Sequence, residues 1–167
     1  MALLGLLALA VYQVALAAPM NATESHIEVL FVEPEKYTDI SENSSTWDQP
    51  SGQLLKELCE YLQHAGRNYL KPGQHLTVRI TDIDLAGAFE PWHGPDFDHI
   101  RILKEIYPPA MKLEFQLTGP DGKVVTGGKR ELRQLGYQMT TGLPTWDPLR
   151  YDKEMLRSWL SREFKDG

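Results

Sequence analysis

Residues 75–87 read HLTVRITDIDLAG, and the alternation within them decides the fold. Leu76, Val78 and Ile80 are apolar at even positions, with Thr77, Arg79 and Thr81 polar between them. That is a strand with one face toward a core. Past Ile80 the phase reverses. Ile83 and Leu85 take the apolar places, and Asp82 and Asp84 fall where a strict period of two would drive them inward. Burying an unpaired carboxylate is costly, or it forces the group to stay protonated. A bulge or twist is therefore predicted near Thr81, or else both aspartates must meet cations and backbone donors. On one face of a strand their Cα atoms stand about 7 Å apart.

Working outward, IEVLFV at 27–32 is apolar on both parities, which predicts a strand covered on both faces. Between the two strands, Leu54, Leu58, Leu62, Ala65 and Tyr69 recur at steps of three and four, which predicts a helix over 51–69. Pro72-Gly73 closes it. Strand, helix, strand in this order implies a crossover with the two strands parallel.

Downstream, HIRIL at 99–103 is a short strand candidate. Met111, Leu113, Phe115 and Leu117 alternate with polar residues, GPDG at 119–122 is turn chemistry, and KVVTGGKREL returns as a hairpin. Gly127-Gly128 within the return strand signals a bulge or a close backbone approach. Asp147 and Pro148 open a helix whose apolar face carries Leu149, Leu156, Leu160 and Phe164, with Met155 and Trp159 beside them. The sum is an α+β fold: a single mixed four- to five-stranded sheet with two amphipathic helices packed mainly on one face.

Residues 1–18 carry no charged side chain and end in the small-residue run Ala15-Leu16-Ala17, the pattern of a signal peptide cleaved after Ala17 or Ala18. The n-region lacks Lys and Arg, and a retained segment would make the chain an anchored envelope protein. Gln13 and the Ala-Ala-Pro exit favour cleavage, so the chain is expected to be exported, periplasmic or secreted, with no integral span. Residues 19–26 read as a loose mature N-terminus, and 27–167 as one domain. The net charge of −6 disfavours nonspecific nucleic-acid binding, and the short Lys129-Arg130…Arg133 cluster is expected on the solvated side of a strand. Cys59 is the one cysteine, so no intramolecular disulfide forms, and its place beside Leu55 and Leu62 predicts an inert thiol.

Three readings of the acidic stretch compete. In the first, Asp82 and Asp84 hold the following loop through backbone N–H groups and through arginines such as Arg101 or Arg150, with Glu90 and Trp92 extending the cluster. In the second, Asp82, Asp84, Glu90, His93, Asp96, Asp98 and His99 supply a metal site, although their spacing fits neither an EF-hand nor H-E-x-x-H. In the third, the two aspartates act as acid and base, which requires a cleft and one raised pKa. The structural reading leads, because irregular polar signals mostly belong to satisfied groups. Trp92 is expected to cap the core, and Trp47, in a polar connection, is the better exposed aromatic.

DIDLAGAFEPW, then IYPPAMKLEFQLTGPDGKVVTGGKRELRQLGY, then DPLRYDKEMLRSWLSREF resemble, in that order, the bacterial secreted family called domain of unknown function 3016. The resemblance runs from about Ile27 to Phe164, and Gln134 stands where an acidic residue is expected. It implies export and one domain, and it assigns no activity, cofactor or substrate. With no nucleophile–base pair, phosphate loop or cofactor fingerprint in the sequence, the expectation is a noncatalytic periplasmic accessory or binding domain with no cofactor. Its partner would be an envelope protein or cell-wall component. The alternative is a metal-dependent hydrolase using the 82–99 cluster.

Overall fold

The computed structural model describes residues 26–40, 51–90 and 100–164. In chain order these form β1 (His26–Phe31), α1 (Ser51–Gly66), β2 (His75–Asp84), β3 (Ala88–Phe89), β4 (Arg101–Ile102), β5 (Ala110–Thr118), β6 (Val124–Arg133) and α2 (Arg150–Phe164). One 3-10 turn, Arg67–Tyr69, extends α1 to the end of the expected helix. Four strands make a mixed sheet in the order β1-β2-β5-β6, while β3 and β4 pair as a separate two-stranded piece. β1 runs parallel to β2, as the crossover requires, and the other pairs are antiparallel.

The register between β2 and β5 carries the predicted phase change. Ile80 faces Leu113 and Asp82 faces Lys112, so Thr81 is an extra residue with no opposite number. This bulge restores the alternation. Leu76, Val78, Ile80 and Ile83 all lie in the core, and Asp82 and Asp84 turn to the other face. Met111, Leu113, Phe115 and Leu117 of β5 join the same core, where Leu54, Leu58 and Leu62 of α1 meet Leu156, Trp159, Leu160 and Phe164 of α2. Both helices therefore cover one face of the sheet. Phe115, Trp159 and Phe164 pack edge to face with ring centroids 5.6–5.7 Å apart.

Three expectations change, and one that held two alternatives is resolved. β1 begins one residue early, at His26, and is an edge strand rather than one covered on both faces: Ile27 is buried, but Glu28 and Leu30 face water. With both helices on one side, an apolar residue of opposite parity has nothing to pack against. The β5–β6 register shift lies between Leu117 and Thr118, not at the paired glycines. Gly127 takes the other expected form, a close backbone approach, since a Cβ there would stand 2.9 Å from the Phe115 carbonyl oxygen. Helix α2 starts at Arg150, two residues after Pro148, though Asp147 does accept the Leu149 N–H at 2.8 Å. Finally, the basic cluster is split. Lys129 and Arg133 are exposed, while Arg130 makes two bonds to Glu163 of α2, at 2.9 and 2.6 Å.

Candidate functional site

Asp82 is held by three donors. Its Oδ1 accepts from the Thr38 backbone N–H at 2.9 Å and the Thr38 hydroxyl at 3.0 Å, and its Oδ2 pairs with Lys112 Nζ at 3.0 Å. Burial pushes its pKa up, but these bonds outweigh it and the net shift is downward. The segment it restrains is not the following loop but one more than forty residues earlier. After β1 the chain continues along the second half of β2: the Tyr37 hydroxyl donates to the Ile80 carbonyl at 2.6 Å, and Asp39 N–H to that of Ile83 at 3.1 Å.

The following loop, Leu85–Gly87, is fastened by other groups. Arg101 Nε donates to the Ala86 carbonyl at 2.8 Å, and Nη2 donates to the carbonyls of Leu85 and Gly87 at 2.6 Å each and to Asp39 Oδ2. Asp39 Oδ2 also accepts the Leu85 N–H at 3.0 Å, and Asp152 Oδ1 the Ala86 N–H at 3.3 Å. Gly87 sits at φ +85, where a Cβ would come within 2.8 Å of the Ile102 carbonyl oxygen, so the loop needs glycine there. Arg101 thus fastens the loop, but with Asp39 as its carboxylate partner and not Asp82 or Asp84 as expected. Arg150 does not: it bonds the carbonyls of Thr145 and Asp147 and lies over the Tyr151 ring.

Glu90, 1% exposed, takes Lys104 Nζ at 2.7 Å on both oxygens and the Tyr107 hydroxyl at 2.9 Å on Oε1. Of the candidate metal ligands, Asp82 and Glu90 are therefore committed to separate contacts. His93, Asp96, Asp98 and His99 lie outside the described residues, as do Trp92, Trp47 and the segment 1–25. Among the described residues no three His, Cys, Asp or Glu side chains stand together as a metal-binding set. Burial pushes the Cys59 thiol up, with Glu60 adding to it, which suits the inert reading. Gln134 is tied to the Pro109 carbonyl through its backbone N–H, and its Oε1 is buried without a partner.

Asp84 remains. It lines a cleft of about 330 Å³ with Thr38, Asp82, Lys112, Glu131 and Arg133, on the sheet face that neither helix covers. Burial, then the charge of Asp39, raise its pKa, against the opposing charges of Arg101 and Arg133. Two carboxylates on one face thus shift in opposite directions, one locked in bonds and one not.

Sequence reasoning missed Asp39, Asp152, Lys104 and Tyr107. Asp152 had a signal: it falls between Leu149 and Leu156 on the apolar stripe of α2. Asp39 had none, being one polar residue in a polar segment.

No curated protein and no solved structure matches the chain. Among the described residues no helix is long and apolar enough to cross a membrane. A family comparison matches residues 25–162 to the family described as a protein of unknown function (DUF3016), and the chain belongs to that family.

Proposed function

We propose that this chain is an exported, noncatalytic binding domain of the bacterial envelope, and that it holds its partner on the uncovered face of the sheet. The observation that carries this reading is the division of labour between the two faces. The core face is closed by both helices, whereas Thr77, Arg79, Lys112, Glu114 and Gln116 of the other face line open clefts. Antiparallel sheets with one wet face are common, and their polar side is a surface for contact rather than a core. Of the catalytic and metal candidates within the described residues, Asp82 and Glu90 are spent on the protein's own backbone and side chains. The uncharged leader at 1–18 supports export, and the net charge of −6 speaks against a nucleic-acid partner.

The test is in-cell photocrosslinking from Gln116 on the open face, with Glu60 on α1 as the control position. One dominant envelope partner, captured from Gln116 and not from Glu60, is the expected result. Equal capture from both positions, or hydrolytic turnover abolished by Asp84→Asn, would remove this reading.

A further inference from the structure

The register of three neighbouring strands sets two rows of side chains side by side on the open face. In one row Asp82 of β2, Lys112 of β5 and Glu131 of β6 stand opposite one another, and the central lysine pairs with Asp82. In the next row the order is Asp84, Ala110, Arg133. The middle strand there carries only a methyl group. Two interstrand spacings put the outer Cα atoms about 10 Å apart. Among the described residues, neither the Asp84 carboxylate nor the Arg133 guanidinium makes a hydrogen bond or an ion pair, although they attract one another through space. All six residues line the same cleft.

A carboxylate and a guanidinium facing each other over a small residue offer complementary ends to one class of ligand. We propose that the Asp84–Ala110–Arg133 row binds a zwitterion, a short peptide with both ends free, whose ammonium meets Asp84 and whose carboxylate meets Arg133. The guanidinium presents a planar fork that matches a carboxylate with two parallel bonds. Asp84 is half-buried and lacks the donors that Asp82 has, so a ligand ammonium supplies the missing one. The alanine is what leaves room: a longer side chain at 110 would project into the space between the charges. Lys112 of the neighbouring row is already paired with Asp82.

This inference rests on the binding-domain reading and names the chemistry of one contact within it. Its test uses the mature protein labelled with nitrogen-15 and titrated with trialanine, N-acetyl-trialanine and trialanine amide. Trialanine is expected to shift the amides of Asp84, Ala110, Lys112 and Arg133. Blocking either end should weaken binding at least about tenfold, the loss of one charged hydrogen bond. In Asp84→Asn the penalty for N-acetylation should vanish, and in Arg133→Gln the penalty for amidation. Both residues are at solvent-facing positions, and an unchanged melting curve shows that each variant is folded. Equal shifts from free and blocked peptides, or no shifts in this row, would overturn the zwitterion site. A partner captured at Gln116 alongside a silent trialanine titration would remove the zwitterion site and leave the binding domain standing. Trialanine binding with no captured partner would leave the zwitterion site standing and remove only the envelope-protein partner.

Discussion

Arg101 shows why a single residue can hold a fold's irregular part. Its side chain is 1% exposed and donates to three consecutive carbonyls, those of Leu85, Ala86 and Gly87, as well as to Asp39. Those carbonyls belong to the turn by which the chain leaves β2, so no sheet ladder could satisfy them. Removing the cation leaves four acceptors, one of them charged, without that donor. Arg101→Met is expected to destabilise by about 3–5 kcal/mol, the range for breaking a buried pair. Arg150→Ala, whose side chain is half-buried at a helix start, should lose under about 1 kcal/mol. Urea unfolding of both variants checks the contrast, and similar losses would contradict it. The sequence pointed to both arginines equally. Nothing in their local pattern says which one the crossing of β4 under the loop will bury.

At the scale of the element, the bulge in β2 is where local pattern and tertiary structure agree most closely. Thr81 has no opposite residue on β5, and its hydroxyl reaches across to the Lys112 carbonyl at 3.3 Å. Deleting it would leave Ile80, Asp82, Ile83 and Asp84 in strict alternation, with every side chain on the face it now occupies. The expected loss is modest, about 1–2 kcal/mol, from the altered fit of Thr38 against Asp82. Deleting Thr77 instead would throw Leu76 to the open face and His75 inward, and should lose several kcal/mol. Thermal unfolding compares the two, with the Asp82–Lys112 cross-strand contact followed by NMR. The phase flip was readable because a strand's period of two leaves no other way to keep Ile83 inside and two aspartates out. The use made of Asp82 was not readable. Its partner Thr38 comes from a segment that lies alongside β2 only because β1 is parallel and adjacent.

Across the whole molecule, charge burial sets how stability responds to pH. Asp152 is 1% exposed, and burial pushes its pKa up to about 7, against the Ala86 N–H and the Arg101 charge, which pull it down. The folded protein therefore keeps a proton that the unfolded chain releases near pH 4. Stability from this group is complete below that pH and falls as the pH rises toward 7. Asp152→Asn retains an acceptor for Ala86 and removes the charge, so it should melt higher than the parent at pH 8 and close to it at pH 4. A higher melting point at pH 4 alone would contradict the argument.

The α+β class, the parallel crossover, the hairpin, both helices and the bulge were legible in the sequence. Each follows from spacing along the chain, and the core alternation on β2 and β5 admits one inward face. What only the tertiary structure decided is which polar groups meet. Asp39 reaches Arg101, Asp152 reaches Ala86, and Asp84 faces Arg133 over Ala110, all through pairings of distant segments. Hydrophobic patterning reports which side of an element is buried, since burial is proportional to area and indifferent to partner. Hydrogen bonds and ion pairs depend on direction and distance, and those exist only once strand order and register are set.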